Sequence, residues 1–243
     1  MGAAAVAIFW WAARGTEVNV AELIKGVPQI AKLVREMFPP DPAVLSQIGW
    51  PVFETLQISI LSTIIAAVCA IPMGYLGAKN MSPHVLAYAI VRTVLNTFRG
   101  VSELIWGLLF VVAVGLGAFP GVLALAIFSV GTIGKLLAEA VEAVDPRPLE
   151  AIRSTGASAV KVFLYGAWPQ VMPLYLSYCL YYWDHNTRQA AILGFVGAGG
   201  IGYTLFTSIS MYHFEEATTA ILVMVLMITA VDRLSWFLRR RFM

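Results

Sequence analysis

The sequence predicts an all-α membrane protein with about six transmembrane helices, and three observations carry that expectation. Of 243 residues, 59% are hydrophobic and only 12% charged, against roughly 25% charged in a soluble domain. Mean hydropathy is +0.78. Apolar windows of about 20 residues, the length that crosses a bilayer as a helix, recur along the chain with no polar or low-complexity linker between them, so residues 1–243 read as one membrane-embedded domain in a lipid bilayer. The 16 basic and 14 acidic residues leave a formal charge of +2, without the basic excess that nucleic-acid binding needs. Nucleic acid is therefore not an expected partner.

Taken in order, residues 1–13 are apolar but too short to span and lack a basic leader, which predicts a short or truncated first helix or the remains of a signal segment. Residues 19–38 place Val20, Leu23, Ile24, Val27 and Ile30 opposite Lys25, Lys32, Arg35 and Glu36. That pattern suits an amphipathic helix at the outer interface, or equally a packed loop helix. Residues 52–78 form the first long span, charge-free between Glu54 and Lys79, with a kink expected at Pro72. Residues 85–117 are read as one helix carrying Arg92, Arg99 and Glu103, closed by a turn at Gly115, Gly117, Pro120 and Gly121. The next spans are 120–144, then 162–193 with an aromatic cluster from Tyr178 to Trp183 expected at the interface, then 217–238, ending in Arg239, Arg240 and Arg241. Cys69 and Cys179 sit in apolar runs and read as buried packing residues.

Orientation follows from the positive charge of cytoplasmic connections. With the N- and C-termini cytoplasmic, Lys79, Arg147, Arg153, Lys161 and Arg239 to Arg241 fall inside, while Asp184, Glu215 and Glu216 fall outside.

Two charged pairs lie within the expected spans. Arg99 and Glu103 are spaced i,i+4 and can pair along one helix, and Asp184 stands four residues before Arg188 and can restrain it. Ionisable groups at membrane depth face a cavity or a partner, so these are either structural ion pairs or, for Arg99 and Arg188, transient contacts for an anion, because guanidinium forks fit phosphate-like oxygens. Arg92 is expected to snorkel to the interface, and Lys135 to pair with Glu139.

Gly194 to Gly202 contains five glycines, which predicts irregular backbone held inside protein or beside water. Its Gly197-Ala198-Gly199-Gly200-Ile201-Gly202 formally matches a dinucleotide fingerprint, but the strand before and helix after that the fingerprint requires are missing. Gly197, Gly199, Gly200 and Gly202 are instead read as a candidate gate or hinge, or as close helix packing through small residues. His84, His185 and His213 are too dispersed for a metal set, and neither a phosphate-binding P-loop nor a serine nucleophile elbow is present. No catalytic residue and no metal ligand is assigned, and a membrane-embedded enzyme remains the alternative from a different class.

The polar stretch at 147–160 carries the most information. The breaker Asp145-Pro146-Arg147-Pro148 precedes Glu150-Ala151-Ile152-Arg153-Ser154-Thr155-Gly156, and nine residues later comes Gly166-Ala167-Trp168-Pro169. This predicts a short helix pinned between two spans, a turn at Gly156, and re-entry with Pro169 near the start of the next helix. On physical grounds alone it is either a lever or an inert loop.

These residues resemble the EAA motif of ABC-importer permeases, E-A-A-x-x-x-G followed after nine residues by I-x-L-P. Glu150, Ala151, Gly156 and Pro169 match in spacing, while Ile152, Gly166 and Trp168 replace the motif Ala, Ile and Leu. With Lys135 to Val144, Gly166 to Pro173 and Val196 to Gly202, the similarity covers nearly all the chain from Phe38 onward and resembles the permease subunit of phosphonate/phosphate importers, the PhnE family. The resemblance implies a type I ABC importer permease fold in the inner membrane of a bacterium, with a cytoplasmic coupling helix on which Glu150, Ala151, Arg153, Gly156 and Pro169 serve coupling to an ATPase. It further implies a homodimer with a second copy of the chain, two ABC ATPase subunits that bind ATP and Mg so that this chain carries no cofactor, and an extracytoplasmic solute-binding protein that delivers phosphonate- or phosphate-type oxyanions. A methionine or other small-solute permease is the runner-up.

Overall fold

The computed structural model describes residues 2–16 and 20–241. Asn19, the first residue of the segment expected at 19–38, lies outside the described residues, as do the first and last residues of the 1–243 domain. Among the described residues eleven α-helices follow in order: α1 (Gly2–Gly15), α2 (Val20–Glu36), α3 (Leu45–Gly77), α4 (Val85–Gly100), α5 (Glu103–Val114), α6 (Ala118–Glu142), α7 (Pro146–Arg153), α8 (Ala159–Val162), α9 (Trp168–Leu193), α10 (Gly200–Ser210) and α11 (Phe214–Arg239). No strand occurs among the described residues.

Three of these helices, α3, α6 and α11, are long and apolar enough to cross a membrane. The bent pairs α4/α5 and α8–α9/α10 raise the number to five. The sixth expected span would have to be α1, whose 14 residues reach about 21 Å at 1.5 Å per residue, short of the ~30 Å hydrocarbon core. Helix α3 has 33 residues and runs unbroken through Pro51 and Pro72.

The α6 helix is the centre of the bundle. Val122, Leu125, Val130, Ile133, Leu137 and Val141 are buried along it, and it packs against α3, α4, α5 and α9. Small residues permit the approach: a Cβ at Gly74 of α3 would lie 2.6 Å from the Leu137 side chain, and one at Gly131 would lie 2.7 Å from the Phe98 Cβ. Close backbone approach through small residues is how helices associate where no water drives burial. The outward faces keep Ile60, Ile64 and Val68 of α3 and Leu222, Val225 and Leu226 of α11 exposed, as a lipid-facing surface requires.

Several local expectations are corrected. Residues 85–117 are not one helix: α4 and α5 meet at 90° across Val101 and Ser102. Val101 is extended, Ser102 caps α5 through its side chain, and the Trp106 indole N–H donates to the Phe98 carbonyl at 3.2 Å, satisfying a group the break would orphan. Pro120 and Gly121 belong to the first turn of α6 rather than to the preceding turn, where Pro is tolerated because the first N–H groups of a helix have no intrahelical partner. Asp184 is buried inside α9, not in an outer connection. The aromatic cluster of α9 is partly core: Tyr175 and Tyr182 are buried, and the Tyr175 hydroxyl donates to the Ala67 carbonyl of α3. Cys69 is exposed on the apolar surface and Cys179 half-buried, both as free thiols.

A candidate coupling helix and a mid-depth polar layer

Helix α7 is built by its caps. Asp145 accepts from the Arg147 N–H at 3.0 Å through Oδ1, Pro146 occupies the first helical position, and both fix the N-terminus. At the other end Gly156 closes the turn at φ +78°, donating its N–H to the Arg153 carbonyl at 3.0 Å, a conformation that favours glycine. Leu149 is buried and Ile152 half-buried, while Glu150, Ala151 and Arg153 are exposed, so one face packs and the other is presented outward.

The packed face is fastened to the start of the next span. A Cβ at Gly166 would lie 3.2 Å from the Ile152 Cδ1 and 3.5 Å from the Leu149 Cα, so glycine is what lets α7 sit against this segment. Gln170 accepts from the Asp145 N–H at 3.1 Å and donates to the Gly166 carbonyl at 2.8 Å. Residues Phe163–Ala167 form a π-type turn. Pro169, second residue of α9, has no N–H to continue the ladder into that turn.

Arg153 donates to the Asn80 carbonyl at 3.1 Å, and Asn80 donates to the Val141 carbonyl at 2.8 Å. Arg92 does not simply snorkel. Its Nε donates to the Gly77 carbonyl at 2.7 Å and its guanidinium meets Glu142 at 2.8 Å, while Glu142 also accepts from the Lys79 N–H at 2.7 Å. The ends of α3, α6 and α7 and the middle of α4 are therefore tied into one unit. Lys135 and Glu139 pair at 3.7 Å, as their spacing predicts.

A second set of polar residues lies at the middle of the bundle. Asn186 is fully buried, donates to the Thr63 hydroxyl at 2.9 Å and accepts from the Ser129 hydroxyl at 3.0 Å, linking α9, α3 and α6. Next to it, His185 Nε2 lies 2.9 Å from Glu103 Oε1, with the ring stacked on Phe128 and packed against Tyr182. Glu103 thus pairs across the bundle with His185 and not with Arg99, because the 90° break carries the two residues onto different helices. Arg188 pairs with Asp184 at 2.6 Å and approaches Asp232 of α11 at 3.8 Å.

The glycine segment is a packed junction. Gly194–Val196 form one 3₁₀ turn, Gly197 and Gly199 have positive φ before α10, and so does Gly200, its first residue. A Cβ at Gly202 would fall 1.7 Å from the Ala191 carbonyl oxygen, so that position is occupied by backbone. The α10 N-terminus is capped from another helix: the Gly200 N–H donates to Glu54 Oε2 at 2.8 Å and the Ile201 N–H to the Thr55 hydroxyl at 2.9 Å.

Against this geometry, the model of the family described as "Binding-protein-dependent transport system inner membrane component" matches residues 70–242. The chain belongs to that family. It is an ABC-transporter permease, a multi-pass membrane subunit without catalytic chemistry of its own.

The permease is 42% identical over 225 residues to a phosphite transport system permease protein, PtxC, of Stutzerimonas stutzeri, an alignment covering 93% of this chain and 82% of that one. It is 38% identical over 221 residues to the phosphate-import permease protein PhnE of Mycolicibacterium smegmatis, covering 90% of this chain and 41% of that one. Among solved structures, an inward-facing form of the MetNI methionine ABC transporter superposes with a TM-score of 0.72 at 19% identity, covering 84% of this chain and 99% of that one. The fold is that of the type I ABC importer permeases.

Sequence reading missed Glu54, Thr55, His185 and Asn186 as site residues of the permease. Glu54 marks only the edge of a charge-free window, and His185 lacks a metal-binding spacing. Their signal was polarity inside or beside an apolar span, which alone marks a functional or pairing residue.

Proposed function

We propose that this permease forms, as a homodimer, the pathway of an ATP-driven importer for phosphite, phosphonate or phosphate-type oxyanions. In this reading α7 is the coupling helix: Glu150, Ala151 and Arg153 present the face that an ATPase subunit engages, Gly156 sets the turn that ends it, and Pro169 begins the span that it moves. The observation that carries the reading is the construction of α7, outward on one face and fastened through Leu149, Ile152 and Gln170 to the root of α9 on the other. A helix so joined transmits a push into the bundle, whereas a loosely tethered loop does not. ATP and Mg belong to two partner ATPase subunits, and an extracytoplasmic solute-binding protein delivers the cargo.

The substrate class rests on the relatives named for phosphite and phosphate at 38% to 42% identity; the methionine reading has a relative at 23% identity besides the fold similarity. Of the candidates Arg99, Glu103 and Arg188, Arg99 is the one that meets the anion, since Glu103 is held by His185 and Arg188 by Asp184, and Gly197, Gly199, Gly200 and Gly202 form the gate held by Glu54 and Thr55. Lys79, Arg147, Arg153, Lys161 and Arg239 to Arg241 then share the cytoplasmic side, which sets the C-terminus there. Mild-detergent purification from the native membrane with mass spectrometry tests the assembly. Recovery with an ABC ATPase and a binding protein that holds a phosphorus oxyanion supports it, and recovery of the chain alone under conditions that preserve other ABC complexes contradicts it.

A further inference from the structure

Arg99 stands at mid-depth of the bundle with no counter-ion among the described residues. Its backbone packs on Gly131, where an added Cβ would fall 2.8 Å from the Arg99 nitrogen, and Gly131 lies near the centre of α6, about 17 Å from Glu142 at the helix end. Among the described residues no carboxylate comes within 4.0 Å of its guanidinium, and the side chain sits on the exposed side of the α4/α5 break. The neighbouring arginines within the spans are neutralised, Arg92 by Glu142 at the end of α6 and Arg188 by Asp184. An arginine at this depth is costly unless it faces water or a ligand. A planar guanidinium with free donors takes a tetrahedral oxyanion in two-pronged fashion.

The nearest acid in sequence, Glu103, is the obvious group to quench it. The structure withholds that acid: Glu103 is 9% exposed and bound to His185 of α9 at 2.9 Å, and the His185 ring is itself clamped between Phe128 and Tyr182. Arg99 and Glu103 flank the same break at Val101 and Ser102, so a released Glu103 is the carboxylate next to the cation along the chain.

We propose that Arg99 is a mid-depth oxyanion contact in the translocation pathway, and that His185 is a positioning residue which keeps it free by holding Glu103. The inference rests on the phosphorus-oxyanion reading above. Arg188, already paired with Asp184, is then a structural residue.

The test is uptake of labelled phosphite and inorganic phosphate by the intact transporter in proteoliposomes, compared at equal amounts of assembled complex and read as uptake per ATP hydrolysed. Arg99→Ala lowers that ratio at least tenfold and Arg99→Lys restores part of it. His185→Phe lowers it as well, although Arg99 is intact, and adding Glu103→Gln to His185→Phe raises it again because the released side chain no longer carries charge. That rescue separates positioning from loss of packing, which a second substitution would not repair. An unchanged ratio in Arg99→Ala, or no rescue in the His185→Phe/Glu103→Gln pair, overturns the proposal. A wild-type complex that moves neither phosphite nor phosphate overturns the substrate reading itself and takes this inference with it.

Discussion

Glu54 and Gly200 are joined by a 2.8 Å hydrogen bond from the Gly200 N–H to the Glu54 carboxylate. It ties the first long helix to the first turn of α10 across 146 residues of chain. The neighbouring Thr55 hydroxyl takes the Ile201 N–H, so two of the four N–H groups that every helix leaves unsatisfied at its start are met by a different helix. An acid here also complements the positive end of the helix. The glycine-rich turn is thereby held rather than left loose, and any gating motion at this place must first release Glu54.

Replacing Glu54 with Ala should therefore destabilise the α10 start by about 1–2 kcal/mol, the range for losing a helix cap. Hydrogen exchange followed by mass spectrometry will show faster exchange across residues 200–204, with Glu54→Gln closer to wild type. Equal protection in Glu54→Ala would mean that the junction is held by packing alone.

At Gly202 the neighbour is backbone rather than a yielding side chain. Gly202→Ala should cost at least the roughly 1–3 kcal/mol of an overpacked core, seen as a lower melting temperature of the detergent-solubilised protein. Gly49, which has open space around it, serves as the control: Gly49→Ala should not lower the melting temperature.

Asn186→Leu removes the group that satisfies Ser129 and Thr63. Each of those hydroxyls retains the option of bonding its own helix carbonyl, and Thr63 already donates to Ser59 at 2.7 Å, so the expected loss is about 1–3 kcal/mol rather than the sum of two orphaned groups. A thermal melt measures it, and a variant as stable as wild type would show the network to be dispensable.

For Arg188 the expectation is structural. Arg188→Ala strands the buried Asp184 carboxylate, and because the arginine is 46% exposed the loss should fall below the ~3–5 kcal/mol of a fully buried pair. Asp184→Asn in the same chain should recover most of the stability. Uptake that recovers together with stability assigns the arginine to the scaffold.

Gly156→Asp should insert and fold yet lose uptake. The position adopts φ +78°, at a modest cost of about 1–2 kcal/mol for a residue with a Cβ, and nothing lies within 4 Å of the added atom. The damage therefore falls on the exposed end of α7 and on what docks there, not on the bundle. Normal uptake in this variant would remove α7 from the coupling role.

The membrane class, the long spans and the α7 region were legible because they depend on local properties: run length, charge placement, and the Asp-Pro and Gly punctuation around 145–156. The break after Gly100 was missed although Gly100 and the capping Ser102 mark it locally, because the apolar residues on both sides read as one span and the 90° bend is held by Trp106, a tertiary contact. The same break misdirected the Arg99 and Glu103 reading, because i,i+4 spacing has meaning only within one continuous helix. Glu54 and Asn186 were missed for a related reason: their partners lie 146 and 123 residues away, and spacing cannot show contacts at that range. Tyr182 looked like an interface anchor because aromatic content alone does not tell a belt from a core.

The most direct test of the whole account is ATP-dependent accumulation of labelled phosphite or inorganic phosphate in proteoliposomes containing this chain with its copurified ATPase and binding protein. The account predicts accumulation that requires ATP and is abolished by Gly156→Asp. Accumulation of neither anion, or accumulation that persists in Gly156→Asp, would contradict it.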